Sequence, residues 1–130
     1  ALHDAVIDAA LAHGKHVVCD KPLATTPAEA RRLRDAAVRA GVIHAVTFNY
    51  RGNPLVQQAR AMVAAGEIGP VHLVHGAYLQ DWLLEDTDYS WRLDPSQGQS
   101  SATADIGSHW CDLAQHVSGQ RITAVLAHLS

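Results

Sequence analysis

Helices and strands alternate in the pattern of the first 48 residues, and this order limits the possible folds more than any other feature. Apolar residues recur at helical spacing in Leu2–Ala12, and His16–Cys19 is a short apolar run typical of a buried parallel strand. Thr26 is the predicted N-cap of a second helix that ends at Gly41, and Val42–Phe48 reads as another strand. This order predicts a parallel, doubly wound α/β sheet.

Asp20, Lys21 and Pro22 follow directly after the first predicted strand. Ligands of doubly wound sheets bind outside the carboxyl ends of the strands, where these three residues would lie. Lys21 is there either as a surface charge or as an ammonium placed over a bound cofactor and substrate, where it polarises a hydroxyl or carbonyl group. Pro22 restricts the backbone and is compatible with a cis peptide bond.

The pattern changes in the second part of the chain. Asn53 and Pro54 start a predicted helix that ends at Gly66, and Val71–Gln80 is a long run with strand character. Because this run is too long for a typical buried parallel strand, we assign it to a second, more open sheet. Arg121–Leu129 has a two-residue rhythm and is predicted as a strand as well.

A helix predicted over Ala102–Val117 places apolar and ionisable residues on adjacent faces. Its apolar stripe is formed by Ile106, Trp110, Leu113 and Val117. The stripe beside it is formed by Asp105, His109, Asp112 and His116. The helical spacing allows a hydrogen bond from Asp105 to His109, which would fix the imidazole tautomer and leave its other nitrogen free for acid/base chemistry.

Two further interpretations of this helix are open at the level of sequence. A polar stripe beside an apolar one occurs in any amphipathic helix, so these ionisable residues can simply be its solvated edge. His109, Asp112 and His116, with Cys111 nearby, are also potential metal ligands. Neither a paired-cysteine nor a His-Glu-x-x-His spacing supports the metal site, so we predict none.

The segment 81–101 has no clear periodicity, and its aromatic and basic residues are Trp82, Tyr89, Trp91 and Arg92. Long loops that contain aromatic residues often form the wall of a binding site. They equally often fold their aromatic side chains onto the core. The sequence does not decide between these two arrangements.

Composition narrows the class of protein. A chain of 130 residues, 48% hydrophobic and 18% charged, can bury one core and is expected to be globular. The formal net charge of -3 and the lack of a long basic run argue against a nucleic-acid partner, and no membrane span is visible. Cys19 and Cys111 form no CxxC pair, which favours free thiols and a reducing compartment such as the cytoplasm.

The motifs, taken in their order and spacing, resemble those of the glucose-fructose oxidoreductase and inositol dehydrogenase (Gfo/Idh/MocA) family over nearly the whole chain. The family's helix histidine, Gly-Lys-His strand and Glu-Lys-Pro turn are similar to His3, residues 14–16 and residues 20–22. Its Arg-x-x-Pro, Gly-x-Ile-Gly and Asp-x-Gly-x-His-x-x-Asp patterns resemble residues 51–54, 66–69 and 105–112.

The resemblance implies an oxidoreductase that uses NAD or NADP and acts on a secondary hydroxyl of a sugar, cyclitol or related polyol. Residues 1–48 would be the C-terminal part of a Rossmann-type doubly wound domain. Residues 49–130 would be the start of an α/β domain with an open, largely antiparallel sheet, which binds substrate and makes homo-oligomer contacts. The alternatives within this resemblance are an NAD-dependent glycoside hydrolase of the same fold and a non-catalytic fragment that makes oligomer contacts.

The resemblance also implies roles for single residues. Lys21 would touch both the nicotinamide ribose and the substrate, His109 would transfer the proton, and Asp105 would orient His109 and help to bind the substrate. Asp112 is expected to give structural support. The residues assigned to cofactor binding are Asp20, Lys21, Pro22, Trp91 and Arg92.

This chain departs from the family pattern in two ways that matter for binding. The phosphate-binding G-x-G-x-x-G is absent, because the chain begins after it and opens within a helix without an initiator methionine. We therefore expect a fragment that binds dinucleotide poorly and is inactive by itself. Asp20 stands where the family usually has Glu, which keeps the charge on a shorter side chain.

Overall fold

The structure, a computed structural model, describes residues 3–91, 94 and 102–128. Its elements in chain order are α1 (His3–Ala12), β1 (Val17–Cys19), α2 (Pro27–Arg39), β2 (His44–Val46), a 3₁₀ turn (Asn49–Gly52), α3 (Pro54–Ala64), a π-helical turn (Thr103–Gly107) and α4 (Ser108–Ser118). Helices and strands alternate as predicted over the first part of the chain, and the α/β class is confirmed.

The sheet of the first part consists of β1 and β2, which pair in parallel with Val17 opposite His44 and Cys19 opposite Val46. A small core lies between this pair and helices α1 and α2. Its buried members are Ile7, Cys19 and Leu33, with Leu11, Val17, Leu23 and Ala24 packed against them. Because parallel strands end at the same edge of a sheet, the residues that follow β1 and β2 meet there.

The predicted helix starts are present. The Thr26 hydroxyl accepts a hydrogen bond from the backbone N–H of Glu29 at 3.2 Å, and the Glu29 carboxylate accepts one from the N–H of Thr25 at 3.3 Å. At the start of α3, the Asn53 side chain accepts from the N–H of Leu55 at 2.9 Å. These side chains satisfy backbone donors that the first helical turn leaves unpaired.

Two segments predicted as strands, residues 71–80 and 121–129, form no ladder in the described part of the chain, and Leu129 lies outside the described residues. An extended segment becomes a strand only when a neighbouring strand pairs with its backbone N–H and C=O groups. In the described ranges, the sheet contains β1 and β2 alone, and side chains such as Leu73 and Leu126 are exposed. Within the described residues these two segments have no strand partner, so the second, more open sheet stays a prediction.

The predicted helix over Ala102–Val117 has two parts instead of one. Residues Thr103–Gly107 form a π-helical turn, and α4 then continues to Ser118, where Gly119 ends it in the left-handed conformation with φ of +71°. A π-helical turn closes on i to i+5 hydrogen bonds, so residues before and after it are shifted from regular α-helical spacing. Asp105 lies within this turn and His109 lies just beyond it.

Both cysteines are free, as predicted, with Cys19 buried and Cys111 exposed. Within the residues that the structure describes, no helix has the length and apolar character needed to cross a membrane.

Candidate active site

Lys21 and Asp105 form an ion pair between residues 84 positions apart. The Lys21 Nζ donates to Oδ1 of Asp105 at 2.8 Å and to the backbone carbonyl of the same residue at 2.5 Å. Both side chains are largely buried, with 15% and 27% exposed. The contact joins the end of β1 to the π-helical turn, so the fold brings together two residues that the motifs had assigned to one site.

The turn that carries Lys21 is held at both of its ends. The Lys21–Pro22 peptide bond is cis, the isomer with which the sequence was compatible. His3 Nδ1 lies 3.1 Å from the carbonyl oxygen of Pro22 and donates to it, and the backbone N–H of Lys21 donates to Oδ1 of Asp20 at 2.8 Å. The start of helix α1 therefore supports the turn from the other side.

Asp20 ties the ends of the two strands together. Its Oδ1 accepts a second hydrogen bond from the Thr47 hydroxyl at 2.8 Å, directly after β2. The Thr47 bond, followed by the Lys21 backbone bond, lowers the pKa of the Asp20 carboxyl group below its ordinary value. In this structure Asp20 thus positions the Lys21 turn, and its assignment to cofactor binding stays a prediction.

His109 is almost completely buried, with 7% of its surface exposed, and it packs against two aromatic rings. The Phe48 ring meets it edge-on at a centroid distance of 5.9 Å, and the Tyr50 ring lies at 4.6 Å. Burial lowers the pKa of His109 and the Lys21 charge lowers it further, whereas the carboxylates of Asp105, Asp112 and Asp20 act in the opposite direction. His109 is consequently neutral near pH 7 and able to accept a proton.

We expect the His109 imidazole of the full-length protein to titrate below its ordinary value of 6.5 in an NMR pH titration. Protonation then favours the unfolded chain, so the stability that neutral His109 contributes is complete above pH 6.5 and is lost as the pH falls through the lowered pKa. In Lys21→Met the midpoint should move upward, because one charge that opposes protonation is removed. A wild-type midpoint above 6.5, or a downward move in the variant, would contradict this electrostatic account.

A second ion pair fastens α4 to the 3₁₀ turn. Arg51 Nε donates to Oδ2 of Asp112 at 2.8 Å, and a terminal guanidinium nitrogen of Arg51 donates to Oδ1 of the same carboxylate. The Asp112 side chain is 10% exposed and that of Arg51 is 50% exposed. A bidentate ion pair thus joins the Arg-x-x-Pro motif to the Asp-x-Gly-x-His-x-x-Asp motif one helical turn from His109. This contact supports the structural role expected of Asp112.

Replacing Asp112 with asparagine should lower the free energy of unfolding of the full-length protein by about 2 kcal/mol, because a charge-assisted hydrogen bond at a buried carboxylate is lost. Urea denaturation measures this effect. Asp8→Asn is the matched control, since Asp8 also accepts from an arginine, Arg32, but both of these side chains are 47% exposed. Solvent screening makes such a pair weak, so the control should unfold like the wild type. Equal free energies of unfolding for the wild type and both variants would show that the Arg51–Asp112 contact does not stabilise the fold.

A cavity of about 260 Å³ opens beside Asp105. It is lined by Tyr78, Leu79, Gln80, Trp82, Leu83, Ala102, Asp105 and Ile106. Trp82 donates through Nε1 to the side-chain oxygen of Gln80 at 2.8 Å. The structure therefore places one aromatic residue of the segment 81–101 in the wall of a cavity. Trp91 lies outside this lining and is largely exposed, and Arg92 lies outside the described residues.

Two tyrosines at the site were missed in the sequence. The hydroxyl groups of Tyr50 and Tyr78 are hydrogen-bonded to each other, and their rings lie 6.0 Å apart. Tyr50 directly precedes the Arg51 motif, a position that could have drawn attention to it. Tyr78 belongs to the run predicted as a strand, and only the folding of this run over the π-helical turn brings it near Asp105.

The alternative of a metal site gains no support from the described residues, where no group of three or more His, Cys, Asp or Glu side chains is arranged to hold an ion. The Asp112 carboxylate is bound by Arg51. The Nε2 atom of His116 lies 3.4 Å from the amide nitrogen of Gln57.

Comparison with known proteins gives matches along the whole chain. The family model described as the GFO/IDH/MocA C-terminal domain matches residues 56–130, and the one described as an oxidoreductase family with an NAD-binding Rossmann fold matches residues 1–48. A levoglucosan dehydrogenase from Pseudarthrobacter phenanthrenivorans is 39% identical over 130 residues, which is 99% of this chain and 33% of that protein. The chain thus spans about a third of the length of the curated relatives that it matches.

Solved structures give the same result. Levoglucosan dehydrogenase in complex with NADH and levoglucosan superposes with a TM-score of 0.84 and 38% identity, over 92% of this chain and 32% of that one. An inositol dehydrogenase homolog from Azotobacter vinelandii, complexed with NADH and myo-inositol, has a TM-score of 0.79 and 36% identity, over 92% and 31%. With the motifs, the α/β fold and both family models in agreement, the chain belongs to the Gfo/Idh/MocA family of oxidoreductases.

Proposed function

We propose that the full-length protein is an NAD(P)-dependent dehydrogenase that oxidises a secondary hydroxyl of a sugar, cyclitol or related polyol. The observation that carries this proposal is the ion pair of Lys21 with Asp105, whose charges both act on the buried, neutral His109, together with a cavity of about 260 Å³ that Asp105 lines. A small polyol needs a pocket with a few placed polar groups among apolar walls, and this cavity has that character. Further support comes from relatives that bind NADH with levoglucosan or with myo-inositol.

We also propose two domains, residues 1–48 and residues 49–130. Support for this division comes from the two family models, which match residues 1–48 and 56–130, and from the parallel strands, which among the described residues lie in the first part. On this division the Lys21–Asp105 ion pair spans the domain boundary. Reacting groups from both domains would then meet at one cleft, as alignment of a hydride donor and acceptor requires.

The residues present fit the nicotinamide end of a dinucleotide. Lys21 carries a positive charge at the carboxyl edge of the parallel strands, which is where dinucleotides bind in such sheets. When bound, the nicotinamide supplies the chemistry of hydride acceptance. Lys21 would contact its ribose, and Asp20 and Pro22 would fix the turn that presents Lys21. Trp91 and Arg92 are kept as further candidates for this contact.

The chain's own groups then account for the proton and the reacting oxygen. A substrate hydroxyl bound beside Asp105 would lie next to the Lys21 ammonium, which stabilises negative charge on that oxygen as the carbonyl forms. Neutral His109 accepts the hydroxyl proton. Phe48 and Tyr50 keep the imidazole in one place, so that alignment does not depend on a mobile side chain.

Nicotinamide absorbance tests this function when the full-length protein is mixed with NAD or NADP and with levoglucosan, myo-inositol or other polyols. We expect cofactor reduction that depends on the polyol. Sugar release from a glycoside without net cofactor reduction would replace this proposal by NAD-dependent glycoside hydrolysis. Absence of both reactions would favour a non-catalytic protein that makes homo-oligomer contacts.

A further inference from the structure

We infer that the paired hydroxyl groups of Tyr50 and Tyr78 bind the substrate hydroxyl next to the one that is oxidised, so that the enzyme selects vicinal diols. This inference rests on the proposed function and specifies its substrate class. It concerns two residues that belong to none of the family motifs identified in the sequence.

The first observation is the position of the pair. The Tyr50 ring packs against His109 at 4.6 Å, so one member of the pair is in contact with the proposed proton acceptor. Tyr78 lines the same cavity as Asp105, so the other member faces the space in which the substrate would lie. The hydroxyl pair therefore stands between the base and the pocket.

The second observation is the hydrogen-bonding capacity of the pair. Two phenols carry two hydroxyl protons, and the bond between them uses one. The pair can still donate the other proton and can accept from a ligand. In the proposed function Lys21 and Asp105 bind the reacting oxygen, so the tyrosine hydroxyl groups are left to bind a neighbouring oxygen of the substrate.

The charge state of Tyr78 agrees with a role as a hydrogen-bond donor to the substrate. Its hydrogen bond with Tyr50, its burial and the nearby Asp105 carboxylate raise the pKa of Tyr78 above the ordinary value for a phenol. The group therefore stays protonated at neutral pH. It acts as a neutral donor and does not compete with His109 for the substrate proton.

Docking of the segment 71–80 does not depend on the tyrosine pair alone. A Cβ atom built on Gly76 would lie 3.0 Å from Nε1 of Trp110, so this segment already approaches α4 closely two residues before Tyr78. The rings can pack without their hydroxyl groups. Removing only the oxygen atoms should leave the segment in place, which makes phenylalanine variants informative.

Tyr78→Phe and Tyr50→Phe in the full-length protein test the inference with levoglucosan and myo-inositol as probes, each beside its monodeoxy analogues. For the parent polyol, we expect either variant to lower kcat/KM about three- to tenfold, mainly through KM, the effect of one neutral hydrogen bond. For the analogue that lacks the adjacent hydroxyl, the variants should match the wild type. Tyr89→Phe is the control, because the Tyr89 side chain is 78% exposed.

The outcomes separate this inference from the function on which it rests. If the variants lose kcat/KM equally with the parent polyol and with every monodeoxy analogue, the tyrosine pair has a purely structural role. If kcat/KM is unchanged, the pair does not contact the substrate. Either result would overturn the inference while the dehydrogenase function stood. No polyol oxidation by the wild-type protein with NAD or NADP would remove the function and the inference together.

Discussion

Replacing His109 with glutamine is expected to lower kcat for polyol oxidation by about 10²- to 10⁴-fold, the contribution usual for a positioned general base. Glutamine keeps hydrogen-bonding atoms and approximate volume beside Phe48 and Tyr50 but cannot take up the proton. The loss should appear in kcat and in kcat/KM alike, because the proton moves only in the transition state. Steady-state rates of cofactor reduction in the full-length protein measure it.

Two controls keep the His109 result interpretable. His72→Gln makes the same chemical change at an exposed position and should keep wild-type rates. Thermal unfolding of both variants shows whether the fold survives, since His109 is a buried side chain with two aromatic neighbours. A folded His109→Gln protein with wild-type kcat would remove His109 from the mechanism.

Replacing Lys21 with methionine is expected to lower kcat/KM by about 10²- to 10³-fold, as does loss of a group that stabilises charge on a reacting oxygen. The methionine side chain keeps much of the apolar length of lysine but carries no charge. Asp105 would then lose the ammonium that its Oδ1 and its backbone carbonyl both accept from. Weaker dinucleotide binding should accompany the loss, because Lys21 is also assigned to the nicotinamide ribose.

The chain provides a matched control for Lys21 in its other lysine, Lys15, which is exposed. Lys15→Met should leave both the rate and the dinucleotide affinity unchanged. Titration of protein fluorescence with NAD or NADP separates binding from chemistry. If Lys21→Met reacts at the wild-type rate, the ion pair with Asp105 holds the fold together and takes no part in the reaction.

The residues of the site could be predicted from the sequence better than their contacts. A strand end and a helix stripe, both of which are local patterns, make Lys21, Asp105 and His109 candidates, and the family resemblance adds their roles, which stay predictions. The ion pair between Lys21 and Asp105 joins positions 84 residues apart, and no local pattern contains such a contact. The π-helical turn that carries Asp105 was also missed, because apolar periodicity of 3.6 residues describes a regular α-helix.

Elements that depend on a partner were the least predictable. Capping at Thr26 and Asn53 is decided within a few residues, and the structure has it as expected. Residues 71–80 form a long run with strand character, but a strand also needs a neighbour, and the described part of the chain provides none. Tyr78 lies in this segment, so its contact with Tyr50 could be found only after the segment had been placed against the π-helical turn.

We propose that the site beside Lys21, Asp105 and His109 serves net hydride transfer from a polyol carbon. The test uses myo-inositol that carries deuterium on every ring carbon, with levoglucosan deuterated on its hydroxyl-bearing carbons as a second substrate. The full-length protein oxidises the labelled polyol, and mass spectrometry then measures deuterium in the nicotinamide cofactor. We expect one deuterium atom in the accumulated reduced cofactor, and about 10²- to 10⁴-fold slower accumulation of this labelled cofactor with His109→Gln. Reduced cofactor without deuterium, or conversion of the polyol without accumulation of reduced cofactor, would contradict it.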